Sequence, residues 1–183
     1  MDALTLLLER RSCTALTEPA PAGEALETIL HAALRVPDFQ RLRPFRFLIA
    51  TGDGLERLGE MMAEAASLSG QPPNVIERAP KMPLRAPMVI VVAAVYRPST
   101  VVKRFEQELS AGCAVMAMQM AALAQGFGGI WRSGWPMFDR NLHRLLSLDA
   151  DTQIVGFLYL GTPASAAEKQ LERPDPWQFV GRL

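Results

Sequence analysis

The sequence predicts one domain in which helices cover both faces of a sheet, and two stretches carry that expectation. Pro87-Met88-Val89-Ile90-Val91-Val92-Ala93-Ala94-Val95 is an unbroken apolar run, as expected of a strand buried on both faces in the middle of a helix-covered sheet. Ala111 to Ala124 is a second apolar stretch, interrupted only by Gln119. A bilayer span needs roughly 20 residues, so this stretch reads as a buried helix. Val115, Met116, Met118, Met120 and Leu123 point in several directions around it. Every side therefore needs a cover, and the second cover is expected to be a partner subunit in a homodimer. The alternative is a central helix enclosed by its own chain.

The elements follow in order. Asp2 caps a first helix through Leu8, and Arg10 and Arg11 at its end suit the helix dipole. After the Pro19-Ala20-Pro21 break, a second helix spans about Gly23 to Arg35, with Leu26, Ile29, Leu30, Ala33 and Leu34 on one stripe. Pro37 and Pro44 frame a loop. Phe45 to Ala50 reads as a strand, Leu55 to Ser67 as an amphipathic helix, and Gln71-Pro72-Pro73 as a stop. Beyond the central helix, Gly129 to Arg132 and Ile154 to Leu160 read as strands, with a helix from about Asp139 to Leu146 between them. Residues 166–183 form a C-terminal arm without helical period, whose Pro174, Pro176, Trp177 and Phe179 suit docking on a partner subunit. No repeat or linker divides the 183 residues, so one domain over 1–183 is expected.

Composition narrows the function. A formal charge of zero and a pI near 6.7 give no positive field to gather nucleic acid, and no basic run suggests membrane attraction. Met1-Asp2-Ala3-Leu4 lacks the basic-then-apolar order of a signal peptide, and two cysteines cannot make a disulfide framework. A reduced cytoplasmic protein is expected.

Chemistry is carried by two distant triplets. Arg10-Arg11-Ser12 is echoed by Trp131-Arg132-Ser133, which follows the turn Gly126-Phe127-Gly128-Gly129. A guanidinium fork with a neighbouring hydroxyl suits phosphate, and the indole suits a flat ring. Together they suggest flavin mononucleotide (FMN). Gly126 to Trp131 is not a dinucleotide-binding fingerprint, because it follows a helix and leads to a strand, and Trp131 stands where the last glycine belongs. His31 and His143 show no ligand spacing or triad partners, so no metal is expected. Cys13 has no adjacent histidine to act as base, and Cys113 reads as a small hydrophobe. No side chain is assigned as catalytic. That poverty of acids, bases and nucleophiles fits a protein whose bound cofactor carries the reaction.

The segment from Gln107 through Ala122 to Gly134, together with Met1 to Ser12, Arg35-Val36-Pro37-Asp38 and Ile154 to Pro163, resembles the nitroreductase family, and within it the compact NAD(P)H nitroreductase subgroup. The resemblance implies an α+β fold with a mixed central sheet flanked by helices, and an intertwined homodimer with two flavin sites at its interface. It places FMN against Arg10, Arg11, Ser12, Arg35, Phe39, Trp131, Arg132 and Ser133, with phosphate on the first cluster and Arg132. It places the nicotinamide of NADH or NADPH along Ala121, Ala122, Leu123, Ala124, Gln125 and Gly126, a segment whose apolar packing also accounts for it. The activity implied is transfer of hydride from NAD(P)H to flavin and then reduction of a nitroaromatic, quinone or related electron-poor acceptor.

One region departs from the family pattern. Related sequences often read Asp-His-Lys after the proline and later Gln-Pro-Trp, whereas this chain has Asp38-Phe39-Gln40-Arg41 and Arg43-Pro44-Phe45. Phe39 is expected to stack on the ring where a histidine would hydrogen-bond, and Trp135-Pro136 is bulky where a small residue is expected. These changes keep a second reading open: a non-catalytic homodimer whose drifted pocket binds flavin or another planar anion without turnover.

Overall fold

The structure is a computed structural model that describes residues 2–165 and 172–183. Asp2 opens α1 (Ala3–Glu9) by accepting from the N–H groups of Leu4 and Thr5 at 3.0 and 3.1 Å. There follow β1 (Leu16–Thr17), α2 (Gly23–Ala33), β2 (Phe45–Thr51), α3 (Asp53–Leu68), α4 (Pro73–Arg78), β3 (Met88–Ala94), α5 (Arg104–Ala124), β4 (Gly128–Arg132), α6 (Arg140–Leu145) and β5 (Gln153–Pro163). One boundary differs from expectation. Helix α2 stops before Leu34, whose N–H bonds back to His31 O at 3.0 Å, leaving Leu34 exposed rather than on the apolar stripe. Helix α3 ends at Leu68, ahead of the expected stop at Gln71-Pro72-Pro73, and the same prolines begin α4, because a proline at the first helical position gives up an N–H that has no intrahelical partner there.

The sheet runs β1-β5-β3-β2, with β4 also paired to β5. All described pairings are antiparallel, which corrects the expectation of a mixed sheet. Strands β3 and β4 do run the same way. Helix α5 carries the chain from one to the other, but β5 returns between them: Leu160 faces Met88 on one side and Gly129 on the other. Strands that share a direction are thus never neighbours.

Alternation along β3 divides two cores. Val89, Val91 and Ala93 pack with Leu58, Met62, Leu142, Phe157 and Tyr159 under α3 and α6. Met88, Ile90 and Val92 pack with Ile29, Ala33, Val115, Met118, Leu158 and Leu160 under α2 and α5. Every residue of β3 is buried, as its apolar run requires. Helix α5 is covered on one side only. Gln107, Ala111, Ala114, Val115, Met118 and Ala122 are buried, while Phe105, Leu109 and Cys113 are exposed and Met116 and Met120 half-buried. Cys113 is therefore on an open stripe and not in the core.

A bulge in β5 shapes the edge next to β4. Val92 faces Gly156 and Ala93 faces Ile154, so Val155 is the extra residue. Its carbonyl accepts from Trp131 Nε1 at 3.2 Å, and the indole lies over Gly156, where a Cβ would stand 1.9 Å from Nε1. On the opposite face His143 is buried, with Nδ1 2.7 Å from Asp139 O and Nε2 3.3 Å from Ile154 N. The amide can only donate, so Nε2 accepts and Nδ1 carries the proton: the ring is neutral. His31, by contrast, is exposed beside Glu27.

Residues 166–171 of the expected arm lie outside the described residues. In the remainder, Asp175 accepts from Trp177 N–H at 3.0 Å to open a short helical turn, and Trp177 and Phe179 are exposed. Among the described residues no helix is long and apolar enough to cross a membrane, and no group of three or more His, Cys, Asp or Glu is placed to hold a metal ion.

Two outcomes follow. Gly156→Ala drives a methyl into the Trp131 indole, an overpacking cost of roughly 1–3 kcal/mol; the melting temperature falls, and Trp131→Phe in the same chain recovers part of the loss, which a thermal-melting double-mutant cycle measures. Burial holds the His143 pKa below its ordinary 6.5, with the Asp139 carbonyl opposing and Arg140 adding to the fall. The unfolded chain thus takes up this proton first as pH drops, so the stability tied to neutral His143 is complete above about pH 6.5 and drains away below it. Urea unfolding at pH 7.5 and 5.5 shows the loss, and His143→Gln, less stable at both, loses less between them.

Candidate functional site

The carbonyl of Gly129 joins three parts of the chain. It accepts from the Cys13 N–H at 3.0 Å and from Gln119 Nε2 at 2.9 Å. The first bond clips the residue after Arg10-Arg11-Ser12 to the strand that carries Trp131, Arg132 and Ser133. Three residues of strand span roughly 10 Å, so both Arg–Ser pairs belong to one sheet edge. Glycine is required at the contact: a Cβ on Gly128 would lie 2.8 Å from Leu16 Cδ2 and 3.1 Å from Cys13 Cβ. The loop does serve close backbone approach, not a dinucleotide turn.

Along β4 the side chains alternate. Trp131 turns to the α5 side, with its indole edge 3.5 Å from a Cβ built on Gly112. Arg132 turns to the α3 side, its guanidinium 5.4 Å from the centre of the Tyr159 ring. That contact orients the cation without using its hydrogen bonds, and Arg132 Nε is buried with no partner. Burial raises the pKa of the Tyr159 phenol, opposed by the charges of Arg132 and Arg85, so the ring stays neutral under the cation. Arg10 and Arg11 are half-buried and Ser12 and Ser133 exposed.

Arg35 and Phe39 stand elsewhere. Ser110 Oγ donates to Pro37 O at 2.9 Å, fastening their loop to α5. Ser110 and Gly112 are two positions apart, about 200° around a helix of 3.6 residues per turn. The Arg35–Phe39 loop and Trp131 therefore lie on different flanks of α5. Phe39 is 63% exposed and Arg35 is exposed. The loop between them and β2 holds Gln40, Arg41 and Arg43 at φ of 64°, 51° and 48°, a left-handed region unfavourable to side chains by roughly 1–2 kcal/mol per residue. Asp38 pins it: its carboxylate accepts from Leu42 N–H at 3.1 Å and Arg43 N–H at 2.7 Å.

Ala121 to Gly126 form the last turn of α5 and its exit. Ala122 is fully buried against the core under α2, Ala121 packs at its margin, and Leu123 is half-buried. Ala124, Gln125 and Gly126 are exposed, and Gln125 Nε2 is engaged by Ala121 O at 3.0 Å and Ala25 O at 3.3 Å. Trp135 does not crowd this edge. It packs inward against the core under α3. Gln119 and Tyr159 were not singled out from sequence, although a lone amide in a long apolar run signals a buried partner.

Comparison with known proteins agrees with this architecture. The model of the "Nitroreductase family" matches residues 7–162. "Putative NAD(P)H nitroreductase YdjA" of Escherichia coli K12 is 47% identical over 180 residues, 98% of each chain. The nitroreductase-like family protein of Bacillus cereus superposes with a TM-score of 0.82 at 21% identity, covering 100% of this chain and 96% of that one. A Desulfovibrio desulfuricans structure described as a "putative nitroreductase in complex with fmn" gives 0.76 at 24% identity, covering 98% and 95%. On the family match and the near-complete alignment at this identity, the chain belongs to the nitroreductase family.

Proposed function

We propose that the protein is an FMN-dependent NAD(P)H oxidoreductase that reduces nitroaromatic, quinone or related electron-poor acceptors in two hydride-transfer steps. The observation that carries this reading is Arg132: a cation held over Tyr159, at a sheet edge shared with a second Arg–Ser pair, with a buried donor that lacks a partner. A phosphate oxygen is the partner such a donor fits. Arg10, Arg11, Ser12, Arg132 and Ser133 would hold the phosphate, and Trp131 would border the ring. Bound FMN would supply the hydride acceptor and donor of the two steps. The chain's own work is to position reactants, exclude water and place cations where negative charge builds up. The inward packing of Trp135 supports this over a drifted, non-catalytic pocket.

A homodimer completes the site in this reading. Arg35 and Phe39 lie on the flank of α5 away from Trp131, so a second copy is the route by which both sets reach one ligand. The uncovered stripe of α5, with Phe105 67% and Leu109 52% exposed, and α1, with Leu4, Leu7 and Leu8 all more than half exposed, supply an apolar surface for it. The last turn of α5 would meet the nicotinamide through its exposed residues, Ala124 to Gly126. Cys13 and Cys113, both free, suit the reducing cytoplasm expected for it.

Purified protein saturated with FMN and desalted is expected to keep a yellow band near one flavin per chain. NADH or NADPH then bleaches it anaerobically, and a nitroaromatic or quinone restores it. An oxidised spectrum that neither donor changes would reject the redox reading and leave only binding. Leu109→Asp places a charge on the open stripe; light scattering is expected to show a monomer, with flavin retention down at least tenfold. Retention by a monomer would place the whole site within one chain.

A further inference from the structure

A pocket of about 330 Å³ opens where β3 hands over to α5, and Tyr96, Arg97, Lys103, Arg104, Gln107 and Asp151 line it. None of the residues assigned above to flavin or nicotinamide is in its lining. Gln107 and Leu109 are two positions apart on α5, about 200° around the helix, so the pocket lies on the far side of α5 from the open apolar stripe. Three cations and one carboxylate leave its lining two positive charges in excess, in a chain whose formal charge is zero. Among the described residues Arg97 and Lys103 are in no ion pair, and Arg104 meets Asp151 only at 3.6 Å, with both side chains more than half exposed. An exposed pair of this kind holds its partners weakly. The neighbouring carboxylates are engaged: Glu106 accepts from Lys103 N–H at 2.7 Å, and Glu108 accepts from the Tyr96 hydroxyl. Burial, and after it the hydrogen bond to Glu108, push the Tyr96 phenol up to about 12, so it adds no negative charge.

Hydrogen bonds fix the lining. The Gln107 side chain, on a residue only 2% exposed, accepts from Arg97 N–H at 2.8 Å and donates to Arg97 O at 3.0 Å. Two bonds to one residue set where the Arg97 side chain starts. Ser99 Oγ accepts from the Val101 and Val102 N–H groups at 3.2 and 2.9 Å, and Val102 is buried, so the return of the chain toward Lys103 is set as well. The Arg104 guanidinium lies over the Tyr96 ring, 4.5 Å from its centre, an orientation that leaves its N–H groups for other partners. Little backbone is left to order when a ligand enters.

We propose that this pocket is a second anion site, which holds a doubly charged phosphate, free or as the monoester of a small molecule, on Arg97, Lys103 and Arg104. A phosphate monoester carries close to two negative charges at neutral pH, which matches the excess of the lining; a single carboxylate would satisfy half of it. Guanidinium forks meet its oxygens in pairs, and the ammonium adds a compact charge. The volume exceeds what one phosphate fills, so a small organic group has room beside it, and Asp151 is an acceptor for a hydroxyl on that group. The proposal does not rest on the redox reading, since the two sites share no residue.

The test is a calorimetric titration of FMN-saturated protein with glycerol 3-phosphate, inorganic phosphate, acetate and glycerol, all at one ionic strength. Saturation keeps the flavin phosphate site occupied. One equivalent of glycerol 3-phosphate per chain is expected to bind, about tenfold more tightly than acetate, and glycerol gives no heat of binding. R97Q/K103Q weakens glycerol 3-phosphate binding about tenfold at unchanged melting temperature and flavin content. R78Q/K81Q removes two exposed charges elsewhere on the chain and changes the affinity less than about twofold. D151N tightens binding, because the opposing charge is gone. Inorganic phosphate that binds as tightly as the ester identifies the free ion as the occupant, and tighter binding of the ester makes the organic group part of the ligand. No saturable binding, binding that R97Q/K103Q leaves intact, or an equal loss in R78Q/K81Q overturns the proposal. Where flavin is not retained, the R97Q/K103Q difference still reads this pocket and not the Arg132 edge.

Discussion

The geometry of the candidate site depends on one carbonyl group. Gly129 O receives both the Cys13 N–H and the Gln119 amide, and the first of these bonds ties the segment that follows the N-terminal Arg–Ser pair to β4. The two donors have different consequences. Cys13 donates from the backbone and so fixes where the segment after α1 runs, whatever side chains it carries. Gln119 donates from the middle of an otherwise apolar helix, where an unpaired amide would cost several kcal/mol against hydrocarbon, so α5 can seat against β4 in only one register. Glycines at 128 and 129 are the steric condition for both bonds, since a Cβ at 129 would lie 2.9 Å from Leu160 Cδ2.

Helix α5 then decides how the remaining residues are distributed. It is a wall with the Trp131 edge on one flank and the Arg35–Phe39 loop on the other, and its outer stripe is apolar and open. A monomer could cover that stripe only with more chain. In the proposed homodimer a second copy would cover it and at the same time bring the missing flank, so the same surface would serve both burial and site assembly. This is why the apolar pattern of α5, which alone indicates only burial, bears on function.

Much of this was legible in the sequence, for reasons that differ by element. The seven residues of β3 and the middle of β5, Ile154 to Leu160, are dictated by apolar runs, whereas the extension of β5 to Pro163 is not. The apolar stripe that α5 leaves open was foreshadowed by its all-round hydrophobicity. What was not readable were effects of close approach. The bulge at Val155 depends on how β5 meets β3, not on a local signal. The order in which β5 slips between β3 and β4, which makes every ladder antiparallel, is a property of the crossover through α5. The inward turn of Trp135 follows from the break in β4 alternation at Gly134, where φ is 120°; bulk alone suggested the opposite. The left-handed loop from Gln40 to Arg43 carries no glycine to announce it.

Arg132 shows how the site can hold an unfavourable arrangement in readiness. Stacking over Tyr159 recovers about 0.5–2 kcal/mol for a partly desolvated cation, while a buried donor without a partner forfeits about 1–3 kcal/mol. The two nearly cancel, so the guanidinium can stay oriented without a ligand but gains nothing by it. A ligand oxygen on Nε turns the balance favourable, and whatever binds the folded chain alone stabilises it by mass action. Orientation is therefore supplied by an aromatic face, which exerts no directional claim on the N–H groups, and the hydrogen bonds remain for the phosphate that the proposed function would place there. An Asp in place of Tyr159 would hold the same cation more strongly and leave it less to offer.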